Sequence, residues 1–474
     1  MRILLLAMPD TADVIDYFFR APNLAIVSLA GNLPKHDVRV LDLVACKPKA
    51  GEMLKKALNR FKPCLVGMSA MTFQFDTLLR VARLIRAWDK TVGLAAGGYH
   101  ATLMAKEIAA TGGSLPLDYL IRGEGEETFR ELADHLDGDE SDLGGIKGLS
   151  FRNEDRWRHN PDRPLQDLSG LALPNRDSRL VGDFSLMGLP MDVAETSRGC
   201  LYNCKFCSIT RMYGNTFRKF PIERIVADLE AIRARGAKGV FFTDDNVTYD
   251  VNHLRELCQA IVLNGLNDMF YITQMSAAGI AGNPEIGPEL HRANFRTVFV
   301  GFESMDPGAL KGIKKPSSPE INRKAAALLR QYGIVIVAGC IVGYPEDTRE
   351  TVARQYRLIK QLKPDMVYAQ YMTPYPKTVI RDEMMKVDLI ANKDDFSTYD
   401  GFSCNVRTRH LTRKALYRSL KKESVKLHFS PDIIFGNNFL RAYGGRIVKP
   451  VIKTLAANIY NVVFSRQRGG RFGL

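Results

Sequence analysis

The sequence has no apolar run long enough to span a membrane, and no even cysteine framework of the kind that small secreted domains use. Its eight cysteines are scattered, apart from one group of three. The apolar start, from Met1 to Met8, is too short for a secretory signal, and Pro9-Asp10 follows at once. These absences predict a cytoplasmic protein without a targeting segment or a spanning helix.

Acidic residues are scarce near the end of the chain. Residues 406–474 hold fifteen lysines and arginines but only two acids, so nearly all of the net charge of +14 belongs there. Apolar residues recur among these cations at helical spacing, in 415–428 and in 442–464. We predict a basic, mainly helical region over 379–474. It fits an interfacial helix on an anionic membrane, or equally a helix packed on the protein with a solvated basic face. We expect no nucleic-acid partner, because few aromatic residues accompany the charge.

The first part of the chain alternates short apolar strands with amphipathic helices, an α/β pattern that predicts a doubly wound parallel sheet over residues 1–136. Ligands of such sheets bind beyond the carboxyl ends of the strands. A polar segment with a hairpin and several prolines follows at 137–190 and predicts a linker. The predicted strands are 2–8, 38–43, 65–69, 92–96 and 119–121.

A second strand–helix alternation fills residues 191–378. Six strand–helix units predict a partial TIM-like (β/α)6 barrel, whose active site is expected at the carboxyl ends of its strands. The predicted strands are 192–196, 239–243, 270–274, 297–301, 334–341 and 366–371.

Cys200, Cys204 and Cys207 form a C-x3-C-x2-C group directly after the first barrel strand. Three clustered thiolates can hold a soft metal or an iron–sulfur cluster with one iron left open for a ligand. Zinc is the alternative, but it needs a fourth ligand. Cys258 and Cys340 are better explained as small buried residues, and Cys404 is the least explained. A structural cluster or a disulfide pair is a further alternative.

The cysteine spacing, the preceding Thr196-Ser197-Arg198-Gly199 and the internal Phe206 resemble the radical S-adenosylmethionine superfamily. The resemblance implies a [4Fe-4S] cluster on the three cysteines, with S-adenosylmethionine on the open iron and cleavage to a 5′-deoxyadenosyl radical. Asn246 fits a helix cap as well as a ligand, Glu303 at its strand end also fits a solvent-facing carboxylate, and Lys377 replaces a glycine of the family's post-barrel loop. The resemblance assigns these residues to S-adenosylmethionine: Phe206, Asp244, Asp245, Asn246, Ser276, Glu303 and Gly343.

Three loops with small residues follow strands of the first sheet, namely Ser69-Ala70-Met71-Thr72, Gly97-Gly98-Tyr99-His100 and Arg122-Gly123-Glu124-Gly125-Glu126. These loops resemble the cobalamin-binding domain that precedes many radical S-adenosylmethionine enzymes. The alternative for any one glycine pair is a tight strand–helix turn. No D-x-H-x-x-G motif occurs, so a histidine lower ligand to cobalt is not expected. The resemblance assigns these residues to cobalamin: Ser69, Thr72, Gly97, Gly98, His100, Gly123, Glu124, Gly125 and Glu126.

Together these resemblances imply an enzyme that functionalises an unactivated carbon, with methyl transfer through methylcobalamin favoured. A radical oxidative cyclase or rearrangement enzyme of the same family is the first alternative. A non-catalytic corrinoid- or metal-binding regulator is the second. The expected partners are a small-molecule or lipid-like substrate, an electron donor such as flavodoxin or ferredoxin, and a peripheral contact of the basic region with the inner face of the membrane.

Overall fold

The computed structural model describes residues 1–11, 19–111, 115–139, 142–154, 156–182, 184–186, 188–431, 433, 438 and 442–443. Most of the second basic stretch, 442–464, therefore lies outside the described residues. The chain divides into two compact units, and their described parts are 1–11 with 22–184 and 19–21 with 185–443. The domain bounds that we set from the sequence stay a prediction.

The strands and helices follow the chain in this order. The strands are β1 (Arg2–Ala7), β2 (Phe19–Arg20), β3 (Asp37–Asp42), β4 (Leu65–Ser69), β5 (Gly93–Gly97), β6 (Tyr119–Ile121), β7 (Leu149–Asn153), β8 (Arg156–His159), β9 (Ser185–Leu186), β10 (Leu189–Ala194), β11 (Ser197–Arg198), β12 (Arg218–Lys219), β13 (Gly239–Phe242), β14 (Phe270–Ser276), β15 (Phe295–Glu303), β16 (Val335–Val342) and β17 (Met366–Tyr371). The helices are α1 (Leu24–Gly31), α2 (Ala50–Phe61), α3 (Phe75–Trp88), α4 (Tyr99–Leu103), α5 (Ala105–Ala110), α6 (Gly125–Leu136), α7 (Ile209–Tyr213), α8 (Ile222–Ala234), α9 (Val251–Leu263), α10 (Ala277–Gly282), α11 (Ile286–Arg292), α12 (Pro307–Gly312), α13 (Pro319–Gln331), α14 (Arg349–Gln361), α15 (Val379–Lys386) and α16 (Arg413–His428).

The first unit is a seven-stranded sheet in the order β3-β1-β4-β5-β6-β7-β8, and its first five strands are parallel. Successive residues of β1 enter opposite cores: Leu4 and Leu6 pack with α2 and α3, whereas Ile3 and Leu5 pack with α1 and α6. Side chains alternate across a strand, so an all-apolar strand must be covered on both faces. The predicted doubly wound parallel sheet is confirmed.

The hairpin expected in the linker belongs to this sheet. Strand β7 pairs antiparallel with β6, and β8 pairs antiparallel with β7. Because β7 continues the hydrogen-bonded ladder, it covers the edge of β6 that a parallel sheet would otherwise leave open.

The second unit is an eight-stranded sheet in the order β17-β16-β15-β14-β13-β10-β9-β2. The six strands β10 and β13 to β17 are parallel, and helices connect them. Stacked aromatic rings fill part of its core: the Phe242 ring centroid lies 5.5 Å from that of Tyr271 and 5.9 Å from that of Phe295. This half-barrel matches the predicted (β/α)6 arrangement, and it brings the loops after all six strands to one edge.

Helix α16 covers part of this barrel. Leu416, Leu420 and Leu427 are buried, and the helix packs against α14 and β17. Its apolar stripe is therefore used inside the protein, as in the second of the two alternatives for the basic region. No helix that the structure describes is both long and apolar enough to cross a bilayer.

Candidate active site

The cysteine loop begins where β10 ends, at the carboxyl edge of the barrel. Its start is fixed by the short antiparallel pair β11–β12, in which Ser197 faces Lys219 and Arg198 faces Arg218. Gly199 follows with a φ of +91°, and a Cβ there would overlap the carbonyl oxygen of Thr216. Only glycine accepts this conformation together with so close a backbone approach. The loop therefore leaves the strand at a defined angle.

Backbone hydrogen bonds fix the rest of the loop. The Cys207 N–H donates to the Cys204 carbonyl at 3.1 Å, which closes a tight turn between the last two cysteines. The Lys205 N–H donates to the Ile313 carbonyl at 3.0 Å, and the Lys205 carbonyl accepts from Ile380 at 3.0 Å. The loop is thus anchored to two other parts of the same unit.

All three thiols are at least partly buried. The pKa of Cys204 is raised to about 11 and that of Cys207 to about 12, chiefly by burial, and the charges of neighbouring cysteines contribute to both shifts. Burial also raises the pKa of Cys200, an effect that the Tyr202 backbone N–H and the nearby Asn246 amide partly oppose. These thiols become thiolates only with a strong positive partner, which is what bound iron supplies.

Among the described residues, no three Cys, His, Asp or Glu side chains converge on a point that suits one metal ion. A cubane cluster does not need such convergence, because each thiolate binds a different iron atom of the cluster. Zinc would need four donors around one ion. The chemistry of the donor set therefore fits a [4Fe-4S] cluster better than zinc.

The remaining candidate thiols serve other purposes. Cys258 and Cys340 are 2% exposed, as expected for small core residues. Cys404 is 3% exposed, and its Sγ donates to the Val406 carbonyl at 3.4 Å. Cys404 therefore packs as a buried hydrogen-bonded thiol.

Asp244 and Asp245, which follow β13, hold the residues just before Cys200. Asp244 Oδ1 accepts from Thr196 Oγ1 at 2.6 Å and from Ser197 Oγ at 2.5 Å. Asp245 Oδ2 accepts from the Gly199 N–H at 3.1 Å. Burial raises the pKa of Asp244 to about 6 and that of Asp245 to about 7. The structure therefore places both aspartates next to the cysteine loop. The carboxylate of Asp244 is already hydrogen-bonded to Thr196 and Ser197.

Asn246 and Ser276 lie in one buried hydrogen-bond network at the ends of β13 and β14. Asn246 Oδ1 accepts from Thr248 Oγ1 at 2.7 Å and from the Ser276 N–H at 3.1 Å. Ser276 Oγ caps α10 through the Gly279 N–H, and lies 3.3 Å from the Tyr202 hydroxyl. Asn246 does not cap the turn that follows it. Its Oδ1 instead joins Thr248 to the end of β14, while its buried Nδ2 has no hydrogen-bond partner among the described residues.

Glu303 ends β15 in an ion pair with Lys315. Lys315 Nζ lies 2.8 Å from Glu303 Oε1, and 11% of each side chain is exposed. Burial lowers the pKa of Lys315, but the charges of Glu303 and Cys204 outweigh it, so this pKa lies above its usual value. Glu303 is therefore not a solvent-facing carboxylate, the alternative considered above. The pair lies close enough to the cysteine loop to act on its thiols.

The backbone of Glu303 is left-handed. Its φ is +59°, and the register between β15 and β16 shifts at this point, with Gly301 opposite Gly339 and Glu303 opposite Cys340. A bulge of this kind re-aims a side chain at a strand end. For a residue other than glycine, the conformation costs about 1 kcal/mol or more.

Gly343 and Lys377 also have left-handed backbones, with φ values of +93° and +62°. The Gly343 N–H donates to Asp347 Oδ2 at 2.7 Å, which fixes the loop after β16. Lys377 replaces a glycine of the resembled family, yet it keeps the conformation that glycine favours. Phe206 is half-buried within the cysteine loop.

Lys315 is the residue that sequence reasoning missed. It lies twelve positions after Glu303, in the Lys314-Lys315-Pro316 turn beyond α12, away from any strand end. In the sequence, Lys314 and Lys315 are simply a pair of lysines just after a short helix, which is common on protein surfaces. Only the folded chain shows that the second lysine points inward.

The candidate cobalamin residues of the first unit lie after three neighbouring strands. Ser69 ends β4 and Gly97 ends β5, and the Ala70 N–H after Ser69 donates to the Gly97 carbonyl at 3.1 Å. Gly123 follows β6, and its N–H donates to Thr102 Oγ1 at 3.1 Å. Because β4, β5 and β6 are adjacent, the structure brings the three loops to one edge of the sheet.

The glycines at this edge differ in the space around them. A Cβ on Gly123 would meet no atom within 4 Å, whereas one on Gly98, whose φ is +93°, would lie 2.6 Å from the Ala70 carbonyl oxygen. Gly98 therefore serves a tight turn, and Gly123 borders open space that a flat ligand can use. Thr72 is buried beside these loops.

The polar residues of the same loops are partly engaged within the unit. Glu124 Oε2 accepts from the Gln166 N–H at 2.9 Å, and Glu126 on α6, which Gly125 begins, accepts from Ser28 Oγ at 2.9 Å. His100 is 5% exposed on α4, and its ring centroid lies 4.4 Å from that of Phe75. Burial lowers the pKa of His100 to about 4, so it is neutral at physiological pH. Their assignment to cobalamin stays a prediction.

Comparison with known proteins agrees with this architecture. Residues 11–133 match the B12 binding domain, and residues 194–359 match the radical SAM superfamily. An uncharacterized methyltransferase of Pyrococcus horikoshii is 28% identical over 466 residues, which cover 96% of this chain and 98% of that protein. The hopanoid C-3 methylase of Methylococcus capsulatus is 26% identical, over 76% of this chain and 68% of that protein.

A solved structure shares the fold of almost the whole chain. The radical S-adenosylmethionine methyltransferase TsrM from Kitasatospora setae, solved with cobalamin and a [4Fe-4S] cluster, aligns with a TM-score of 0.73 at 18% identity. The alignment covers 96% of this chain and 99% of that one. At this level of identity, the likeness shows the fold.

A B12 binding domain followed by a radical half-barrel with a three-cysteine loop defines one class of enzyme. The chain belongs to the cobalamin-dependent radical S-adenosylmethionine enzymes. Its cofactors are the [4Fe-4S] cluster, S-adenosylmethionine and cobalamin. The buried thiols of the second unit and the open glycine edge of the first fit these groups.

Proposed function

We propose that this enzyme transfers a methyl group to an unactivated carbon. The observation that carries the proposal is the Glu303–Lys315 pair beside the three cysteines, at the carboxyl ends of one parallel half-barrel. A carboxylate and an ammonium group side by side match the ammonium and carboxylate groups at the methionine end of S-adenosylmethionine. When bound, the cluster supplies an electron for radical formation, and cobalamin carries the methyl group.

The protein's own residues bind, orient and exclude water. Asn246 and Ser276 hold the ends of β13 and β14 together through the hydrogen bonds described above. The buried carboxylates of Asp244 and Asp245 fix the start of the cysteine loop. A desolvated site strengthens each of these polar interactions and keeps a reactive radical from water.

A relative named as a methyltransferase, which aligns along nearly its whole length, favours methyl transfer over cyclisation. Proteins named as a methyltransferase and as a hopanoid methylase are similar to this chain along most of its length. A radical oxidative cyclase has the same cofactors, and it is the runner-up. A regulator without catalysis would not need the strained Glu303 backbone next to the cysteines.

The experiment uses protein reconstituted anaerobically with iron, sulfide and cob(I)alamin. It is supplied with S-adenosylmethionine that carries a trideuterated methyl group, and with reduced flavodoxin or ferredoxin as the proposed electron donor. A methylase forms trideuterated methylcobalamin and, with reductant, 5′-deoxyadenosine, both seen by mass spectrometry. Formation of 5′-deoxyadenosine without methylcobalamin favours the cyclase, and formation of neither rejects the proposal.

A pair of cysteine variants controls for cluster loss. Cys204→Ser removes a proposed cluster ligand and is expected to abolish both products and most bound iron. Cys404→Ser changes a buried cysteine outside the loop, whose Sγ donates to the Val406 carbonyl, so iron and products should persist. Equal losses in both variants would contradict the assignment of the cluster to the three-cysteine loop.

We further propose a lipid-like substrate, taken at the inner face of an anionic membrane through α16. The exposed cations Lys414, Arg418, Lys422 and Lys426 recur every fourth residue and so form one stripe along this helix. Each basic group near an anionic lipid surface contributes about 1 kcal/mol to binding. A stripe of four is enough for reversible peripheral contact without an inserted helix.

Vesicle sedimentation tests this contact. The protein should sediment with phosphatidylglycerol vesicles at low salt and stay in solution with phosphatidylcholine vesicles. The triple variant Lys414→Ser, Arg418→Ser, Lys422→Ser should lose most of this binding. A control that removes three exposed cations of α2, by Lys55→Ser, Lys56→Ser and Arg60→Ser, should keep it. Equal binding by both triple variants would reject the role of α16.

A further inference from the structure

Groups from outside β15 hold the left-handed backbone of Glu303. Gln355 Nε2 on α14 donates to the Glu303 carbonyl at 3.0 Å, and the Tyr344 hydroxyl donates to the same oxygen at 3.5 Å. A strained conformation persists only where its surroundings determine it in this way. The Glu303 carbonyl is therefore fixed independently of the ion pair that its side chain makes.

Gln355 also holds the two residues that follow. Its Oε1 accepts from the Met305 N–H at 2.9 Å and from Ser304 Oγ at 3.2 Å. Both polar atoms of this one amide are thus used on residues 303–305. Gln355 is 8% exposed, so water does not compete for these bonds.

Asn322 on α13 acts on the same segment from a second helix. Its Nδ2 donates to the Ser304 carbonyl at 3.1 Å and lies 3.4 Å from the Phe302 carbonyl. Its Oδ1 accepts from Ser317 Oγ at 2.7 Å, in the loop that follows Lys315. Asn322 is 0% exposed. This amide therefore links the Glu303 bulge to the chain segment that carries its ion-pair partner.

We propose that Gln355 and Asn322 are positioning residues for S-adenosylmethionine. They hold the bulge of β15 so that the Glu303 carboxylate meets Lys315 and faces the cysteine loop. Both amides bond to groups of the protein itself, and each acts through Glu303. The inference rests on the proposed function, because it assigns the Glu303–Lys315 pair to the methionine end of S-adenosylmethionine.

The placement of Gly301 supports this reading of the bulge. A Cβ on Gly301 would lie 2.6 Å from Glu303 Oε1 and 2.9 Å from Lys315 Nζ. The Glu303 carboxylate therefore folds back over its own strand end, into space that only a glycine leaves. A right-handed Glu303 would direct the side chain elsewhere, since the backbone turn sets the direction of the Cα–Cβ bond.

The first test measures S-adenosylmethionine binding by the cluster-loaded protein. Gln355→Met keeps the length of the side chain but removes all three hydrogen bonds. Gln355→Glu keeps the acceptor for Met305 and removes only the donor to Glu303. We expect the Kd for S-adenosylmethionine to rise about tenfold or more in both, because small errors in positioning are costly. KM for S-adenosylmethionine should rise more than kcat falls, with iron content unchanged.

Val352→Ala is the matched control. Val352 lies one turn before Gln355 on α14 and is 1% exposed, so its truncation loosens the same helix without touching Glu303. It should lower the thermal midpoint as Gln355→Glu does, yet leave the Kd within about twofold of the wild-type value. If Kd rises in proportion to the loss of thermal stability in every variant, including Val352→Ala, Gln355 contributes only to packing and the inference is wrong.

A double-mutant cycle decides whether Gln355 acts through Glu303. In a Glu303→Gln background, Gln355→Glu should cause no further loss of S-adenosylmethionine affinity, whereas independent effects would multiply. Multiplying effects overturn the inference and leave the proposed function intact. Wild-type protein that carries its cluster but does not bind S-adenosylmethionine overturns the proposed function itself, before any variant is measured.

Discussion

Lys315 Nζ lies 2.8 Å from Glu303 Oε1, and each of the two side chains is only 11% exposed. Removing two charges from water costs free energy, and each buried charge is tolerated only while its partner is present. This desolvation penalty falls on the end of β15, beside the cysteine loop. This arrangement links local stability and cofactor binding through the same two atoms.

Removal of the lysine should therefore affect both properties. Lys315→Met leaves the Glu303 carboxylate buried without its partner, and we expect the free energy of unfolding to fall by about 3 kcal/mol. Binding of S-adenosylmethionine should weaken in the same variant. Urea unfolding and equilibrium dialysis measure the two effects. Lys311→Met, an exposed lysine of α12, should change neither. A Lys315→Met protein with unaltered stability would contradict the buried ion pair.

A methyl group on Gly301 should displace the same pair without changing any charge. In Gly301→Ala the new Cβ needs space that Glu303 Oε1 and Lys315 Nζ occupy at 2.6 and 2.9 Å. We expect weaker binding of S-adenosylmethionine, measured by equilibrium dialysis, with the iron content retained. Gly312→Ala is the control, since a Cβ there would meet no atom within 4 Å. If both alanine variants bind alike, the pair is not held in the position described.

The strands and the edge at which they end were predictable from local patterns. Apolar runs such as Ile3 to Leu6 and Val335 to Val342 are too short and too uniform for exposed elements, and the structure buries both. The cysteine spacing likewise indicated its chemistry before any fold was known. Local sequence contains these signals because a strand or a metal loop is built from neighbouring residues.

The surroundings of the site were not predictable in the same way. Gln355 lies 52 positions from Glu303, and Lys315 lies twelve positions from it in a turn. No periodicity links such residues, because their meeting depends on how α14 and the loop after α12 pack on the barrel. Likewise, Glu124 and Glu126 were assigned to a ligand from their loop alone, and the fold shows their bonds to Gln166 and Ser28.

The start of the cysteine loop offers a test of backbone constraint. Gly199→Ala adds a Cβ that overlaps the Thr216 carbonyl, at a position with a φ of +91°. We expect the β11–β12 pair to separate and the protein to retain little iron after reconstitution, as measured by iron analysis and absorbance. Gly214→Ala has a similar φ, +64°, but open space around its Cβ. Gly214→Ala should therefore add only the backbone strain of a left-handed alanine, without a steric overlap, and the protein should keep its cluster. Equal iron in both variants would show that the Thr216 contact is not required.

The first unit should become less stable in mild acid because of His100. Burial lowers the pKa of this imidazole to about 4, below the value of about 6.5 in an unfolded chain. Between these two values the unfolded chain binds more protons than the folded one, so stability falls as the pH falls from 6.5 to 4. The full pKa difference corresponds to about 3 kcal/mol. The stabilising contribution is complete above pH 6.5 and lost as the pH approaches 4.

A pair of variants isolates this contribution in the full chain. His100→Gln removes the titrating group, so its thermal midpoint relative to wild type should improve as the pH falls from 7 to 4.5. Phe75→Leu removes the aromatic ring whose centroid lies 4.4 Å from that of His100, but it keeps the imidazole. The thermal midpoint of this variant should therefore lie below that of wild type by a similar amount at each pH. Calorimetric scans at half-unit steps of pH separate the two. A constant offset for His100→Gln would mean that the imidazole binds a proton in the folded state as easily as in the unfolded one.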